Sequence, residues 1–392
     1  MRYNFSLFEV LIIIGVTHGF LIAALIWLNR KRSVSKLILS LVLAVFNLLC
    51  IRILILTTGA WQTQLFRYFP LPFELAIPPL IWLYALSLTT PGFRPRPSSL
   101  VHFIPFAISL IYSIFIYFSV IGTKDLIAKD AIADNFYFNY IKEIEDFLLI
   151  ISSIVYWWLG LRIVLKYRHW LYNNISDTDY PTYAWLKNVS ILMGILIAGL
   201  VIDILLDYFF HFGINHFLHW QVFFIYLAVL IYYLGFRGFQ LPGKQILIPE
   251  NKTTLLPAIA GEQSLKINRE IKLQAEKERQ VEQAIKEAFE IRQLYLDPEL
   301  NLQKLANEIN TTPAIASSVI NRSFKKSFRN LVNEYRVDKV KQRLNDPGSA
   351  RLSILGIAYE CGFNSEASFY RIFKDIAGVS PKEYLKRLQS PD

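Results

Sequence analysis

The sequence predicts an all-α protein in two parts: an N-terminal seven-helix transmembrane bundle, then a cytosolic tail with two helix-turn-helix units. Two observations predict it. Apolar runs of membrane length, about seven of them, fill the chain up to residue 237. Residues 300 to 388 carry one helix-turn-helix pattern twice. Composition agrees with a lipid environment for the first part: 54% of the 392 residues are hydrophobic and 15% aromatic, more than a soluble core needs.

The expected spans are 8–28, 37–57, 71–90, 100–121, 147–166, 186–206 and 216–236, each near the 20 residues that cross a hydrocarbon layer at about 1.5 Å per residue. The first run lacks a small-residue cleavage site and ends in Asn29-Arg30-Lys31-Arg32, so it reads as a span and not as a cleaved leader. The third holds Pro78-Pro79 inside an apolar run. Proline frees backbone carbonyls there, so it either starts the helix or kinks it and makes a hinge.

Charge orients the spans. The first, third and fifth loops hold Arg30, Lys31, Arg32 and Lys36, then Arg94 and Arg96, then Lys166 and Arg168. The alternate loops are poorer in cations or mix them with acids. The positive-inside bias therefore places the N-terminus outside and the tail in the cytoplasm, across the cell's inner membrane. Seven spans and a cytoplasmic tail are mutually required.

Arg52, Glu74 and Asp203 fall toward the outer leaflet. An intramembrane charge needs a partner, so the three are expected to form one charged site: either a structural clamp or the place where a signal is received. Asp207, His211, His216 and His219 gather near the last outer loop. A metal site is the weaker reading, because spacing alone rarely implies a ligand set; rings at the lipid–water boundary account for them, so no metal is expected. Cys50 and Cys361 lie in a span and in the tail, which excludes a disulfide framework.

Residues 238–280 read as linker and signalling helix, with Pro242, Gly243, Pro249, Pro257 and Gly261 breaking the first half. The seam Ile267, Ile271, Val281, Ile285 and Ala288 is interrupted by Gln274 and Glu278. That favours a signalling helix with weak homodimerisation over a stable coiled coil.

The tail domain is expected over 281–392. In its first unit Leu302, Leu305, Ala306 and Ile309 share a helix face, and Asn310 reverses the chain in a left-handed conformation. Thr312-Pro313 is an N-cap with proline at the first helical position. The following helix puts Ile315, Val319 and Ile320 inward and Ala314, Ser317, Ser318 and Asn321 outward. In the second unit Ser353 caps a helix with Leu355, Ala358 and Tyr359 on its buried face. Gly362 makes the reversal, and Ser365 caps a helix with Phe369, Ile372 and Phe373 inward. Glu366, Ala367, Tyr370 and Lys374 point out. The units align at offsets of 52 and then 53 residues. Between them runs a helix from Phe328 to Leu344, with Arg329, Arg336, Lys339, Lys341 and Arg343 on its exposed side. Its length, about 25 Å, suits two recognition helices one duplex turn apart.

The stretch IAYECGFNSEASFYRIFKDIAGVSPKEY resembles the signature of AraC/XylS-type DNA-binding domains, through Ala358, Gly362, Phe363, Phe369, Arg371, Phe373, Lys374, Gly378, Pro381 and Tyr384. The resemblance covers about the last 95 residues. The first unit departs from it: Ala316, Ser317 and Ser318 stand where the family has an apolar residue and Ser-Arg, and Lys325 replaces a glycine. The resemblance implies double-stranded DNA as partner, contacted through Ala314, Ser317, Ser318, Asn321 and Arg322 in one unit and Ser365, Glu366, Ala367, Tyr370, Arg371 and Lys374 in the other. For Arg371 it implies phosphate contact or internal pairing over a solvated surface charge. From Pro298 onward 15 Lys and Arg face 10 Asp and Glu, which fits phosphate attraction. The apolar half, through ELAIPPLIWLYALSLT and YYLGFRG, resembles the multi-span sensor half of some bacterial membrane-bound AraC-type regulators.

The chain has no phosphate-binding glycine loop, zinc cysteine pairs or HExxH, so neither catalysis nor a cofactor is expected. The expectation is a membrane-bound one-component transcription regulator, with the bundle sensing a small-molecule or membrane signal of unknown identity. The alternative is a transporter or receptor with a helical protein-interaction tail. The paired helix-turn-helix units favour the first.

Overall fold

The structure, a computed structural model, describes residues 5–30, 33–90, 92–176, 180–210, 217–240, 264–349 and 351–389. Its regular structure is helical throughout, with no strand among the described residues. It divides into two compact units, Met1–Leu165 with Pro181–Glu250 and Lys166–Tyr180 with Asn251–Asp392.

The first unit holds α1 (Leu7–Leu28), α2 (Val34–Thr57), α3 (Ile77–Thr89), α4 (Ile104–Val120), α5 (Leu126–Asn135), most of α6 (Phe138–Asn174), α7 (Pro181–Phe210) and α8 (Leu218–Gln240). Among the described residues six helices, counting Pro97–Val120 as one, are long and apolar enough to cross a membrane; a further apolar helix, Glu74–Thr89, is shorter. The starts are fixed locally. Ser6 and Glu9 form a capping box, Glu9 Oε2 accepting from the Ser6 amide at 2.7 Å. Ser33 caps α2. Pro78 and Pro79 lie in the first turn of α3, where a missing N–H costs nothing. They start the helix; the hinge-forming kink drawn as one alternative is absent. α6 outruns its expected span because only Gly160, and no proline, interrupts it.

Helix α2 is central, packing on α1, α3 and α8 with Leu43, Phe46 and Cys50 buried. α1 and α8 approach closely: a Cβ on Gly235 would come within 2.4 Å of Ile22 Cγ2. Small residues permit such contact where lipid offers no hydrophobic drive between helices. At one end, α5, which the sequence pattern did not reveal, meets the loop after α2. Arg67 Nε donates to Asp130 Oδ1 at 2.9 Å, the Tyr68 hydroxyl donates to the same oxygen at 2.8 Å, and Lys129 Nζ donates to the Gln64 carbonyl at 2.6 Å. Burial alone would raise the Asp130 pKa, but the hydrogen bonds from Arg67 and Tyr68 hold it below its ordinary value.

The second unit contains α9 (Ser264–Glu290), α10 (Leu302–Glu308), α11 (Pro313–Ser323), α12 (Phe328–Leu344), α13 (Ile354–Glu360), α14 (Glu366–Ala377) and α15 (Pro381–Gln389). It has two cores. Ile285, Ala288 and Phe289 of α9 join Leu302, Leu305, Ala306, Val319, Ile320, Phe328 and Leu331 in one. Val337, Val340, Ile357, Ala358, Phe363, Phe369 and Phe373 form the other. α12 contributes its first half to one core and its second half to the other. The seam residues Ile267 and Ile271 carry side chains outside the described residues.

Candidate nucleic-acid interface

Each half of the tail is a seven-residue helix, a reversal and a capped second helix. The reversals sit at Asn310 and Gly362, with φ of 53° and 89°. Asparagine tolerates the left-handed region better than most side chains, and glycine enters it without penalty. Thr312 Oγ1 accepts from the Ile315 amide at 3.3 Å, and Ser365 Oγ from the Ser368 amide at 3.3 Å. Ser365 therefore has a structural task on the same helix it was assigned to for DNA contact. A third correspondence follows at the ends of α11 and α14, where Lys325 and Gly378 both have positive φ, 56° and 76°.

Lys325 is the residue that stands for the expected glycine, so it holds a side chain in a conformation that costs about 1–2 kcal/mol. Lys325→Gly should therefore stabilise the tail by about 0.5–1 kcal/mol, after the entropy of the freer unfolded chain is subtracted. A lower urea midpoint for the glycine variant would contradict this.

The outward faces agree with expectation in part. On α14, Glu366, Ala367, Arg371 and Lys374 are exposed. Among the described residues neither Arg371 nor Lys374 makes an ion pair, so internal pairing does not occupy them. Tyr370 is half-buried, its ring 5.2 Å from Phe369. On α11, Ala314 and Asn321 are exposed, while Ser317 and Ser318 are half-buried. Arg322 is exposed and pairs with Glu278 of α9 at 2.9 Å. Exposed pairs of this kind contribute little and exchange readily for another anion.

Three burial expectations are corrected. Ile315 is 46% exposed and Ala316 is the buried residue, a shift of one position at a helix start where the proline sets the phase. Tyr359 is exposed and Ile357 takes its place in the core. Arg336, expected among the exposed cations of α12, is 2% exposed. Its Nε donates to the Tyr295 carbonyl at 2.7 Å and its Nη2 to the Asp297 carbonyl at 2.8 Å. The periodicity of α12 could not show this, because the acceptors belong to a backbone turn about forty residues earlier. Cys361 is also buried, which pushes its thiol up to about 11, so it stays neutral.

In the first unit the structure brings Arg52 and Glu74 together as an ion pair. Asp203 is not with them in the same lining. It is buried, one carboxylate oxygen lacks a hydrogen-bond partner, and its electrostatic neighbours are His219 and Asp207. Arg52 and Glu74 line a cavity of about 400 Å³ with two further carboxylates, Asp146 and Asp207. Asp207 accepts from His219 Nε2 at 3.0 Å and Trp220 Nε1 at 2.8 Å. His211 and His216 lie outside the described residues. Asp146 was missed because it falls before the apolar window of its helix.

Residues 305–387 match a protein family described as a helix-turn-helix domain. The melibiose operon regulatory protein of Escherichia coli K12 is 28% identical over 93 residues, which is 24% of this chain and 30% of that protein. Its counterpart in E. coli O6:H1 strain CFT073 matches to the same degree. The chain therefore spans less than a third of the length of these curated relatives. No solved structure matches. Residues 305–387 form an AraC-type helix-turn-helix domain, at the C-terminal end of a chain whose N-terminal part is a series of apolar helices.

Proposed function

We propose that the protein is a membrane-bound transcription regulator that reads DNA sequence with its tail under the control of a signal sensed by its bundle. The observation that carries DNA recognition is the repeated unit: two capped helices at equivalent positions, joined by one rigid 17-residue helix. Arg371 and Lys374 serve phosphates; Glu366, Ala367 and the edge of Tyr370 face bases. The tail lies in the cytoplasm and the N-terminus outside, and no catalytic step is involved.

Coupling is supported by residues 166–176, the end of α6 and the two residues after it. Covalently they join two apolar helices, yet they pack inside the second unit. Ser176 Oγ donates to the Leu300 carbonyl at 2.5 Å, Ile175 bridges to Asn301, and the Arg329 guanidinium lies 4.4 Å from the Tyr172 ring. A movement of α6 is thereby handed to the first helix-turn-helix unit. Tyr172→Ala should change reporter output per molecule in cells.

Direct binding tests the reading. A fragment from about Glu262 onward should fold and bind duplex DNA selected from a genomic library. Affinity should fall by about 10³-fold or more between 50 and 200 mM salt if six or more phosphates are neutralised. Arg371→Ala and Lys374→Ala should weaken all sequences alike and each reduce the salt slope by about 1. Glu366→Ala and Tyr370→Ala should change the selected motif by about 1–3 kcal/mol at a contacted base. A folded fragment that selects no sequence would sink the proposal.

A further inference from the structure

The cavity in the first unit has a layout more specific than a gap between helices. Its walls are mainly apolar, with Phe46, Met193 and Leu227 among them. Its ionisable residues come from the end of the bundle where α2 and α7 finish and α3, α6 and α8 begin: Arg52, Glu74, Asp146 and Asp207. One guanidinium thus faces three carboxylates. Arg52 pairs with Glu74 and also lies within electrostatic reach of Asp146. Nearby, Lys142 is taken by Glu145 at 2.5 Å. Asp207 is held by His219 and Trp220. Asp146 makes no hydrogen bond or ion pair within 4 Å among the described residues. Trp220 completes the lining beside Asp207, while Tyr156 and Trp157 line the cavity about 15 Å further along α6 from Asp146.

We propose that this cavity binds a small organic cation: an amine on an apolar, ring-sized body. The inference rests on the sensing reading above and specifies its ligand. Charge complementarity selects the head. An anionic ligand would add a fourth negative charge to a site with one cation. A neutral ligand would leave the excess of carboxylates over cations uncompensated. An ammonium meets the Asp146 carboxylate and offsets part of the negative excess. The apolar walls select the body, and the volume, about 400 Å³, suits a ligand of modest size. In the proposed orientation the charged end faces outward, so the ligand enters from outside the cell.

The test uses the full chain in lipid nanodiscs, with empty discs subtracting partition into lipid. Three probes share one body: 4-phenylbutylamine, 4-phenylbutanol and 4-phenylbutyrate. Calorimetric titration should show the amine binding at least about tenfold more tightly than the alcohol, and the carboxylate not at all. Asp146→Asn should cost the amine about tenfold or more and leave the alcohol unchanged. Ile197→Trp, which fills the apolar wall, should abolish binding of both. An unchanged thermal melting profile of the bundle in the discs and a single species on size exclusion show that each variant is folded. Carboxylate binding equal to the amine, an amine affinity unmoved by Asp146→Asn, or no binding above empty discs each overturns the proposal. Reporter output per molecule, measured on the same variants, keeps the two claims apart. Amine binding with unaltered output for every variant upholds the site and removes sensing. Output altered by Asp146→Asn without amine preference removes the ligand class and leaves sensing in place.

Discussion

Arg336→Ala should cost the tail about 3–5 kcal/mol, the largest effect of any single truncation on α12. The guanidinium supplies a planar fork to two backbone carbonyls, those of Tyr295 and Asp297. Truncation leaves both acceptors short of a donor in a place where water has little access, and opens a cavity the size of a long side chain. Phe363, whose ring lies 6.0 Å from the guanidinium, loses a wall as well. Arg336→Lys should recover only part of the loss, since one ammonium cannot reproduce the fork geometry. Arg336→Met should restore packing but not the hydrogen bonds. Urea unfolding of the fragment from about Glu262, followed by circular dichroism, gives the ranking directly. Arginine well above lysine, with methionine between lysine and alanine, is the expected order. An alanine variant within about 1 kcal/mol of the parent would mean that the turn finds other donors.

Most of this architecture was legible because it follows from local rules. The membrane-length runs needed only composition: among the described residues six helices long and apolar enough to cross a membrane fall at six of the seven expected spans, and a shorter apolar helix, Glu74–Thr89, falls at the third. Thr312, Ser353 and Ser365 as caps, and Asn310 and Gly362 as reversals, were read from residue type and spacing, since each chemistry acts within three or four residues. The failures share a cause. Arg336, the pairing of Arg52 with Glu74 but not with Asp203, the place of Asp146 in the cavity and the contacts of Tyr172, Ile175 and Ser176 all depend on partners distant in sequence. A charge on a helix looks the same in sequence whether it faces water or a carbonyl forty residues away. Equal depth in a bilayer fixes one coordinate of Asp203 and leaves its rotation about the helix axis open.

The second large effect is expected at Gly362, across the same junction. Its φ of 89° already excludes comfortable substitution, at a cost of about 1–2 kcal/mol for a side chain. Space is the greater obstacle. A Cβ there would stand 2.6 Å from the Tyr295 carbonyl oxygen, 2.9 Å from that of Leu296 and 3.0 Å from Arg336 Nε. Two of the three are backbone, which cannot swing aside as a side chain end can. Gly362→Ala should therefore cost about 3 kcal/mol or more, through strain and loss of the turn that Arg336 holds. The two sites share the Tyr295 carbonyl, so their effects should not add. In the double variant the turn is already released by the loss of Arg336, and the added methyl meets a carbonyl free to retreat. The pair should be less destabilised than the sum of the singles by about 1 kcal/mol or more. Strict additivity in the double-mutant cycle would show that Gly362 is required for its backbone conformation alone, and that the close approach of the turn to the second helix-turn-helix unit carries no energy of its own.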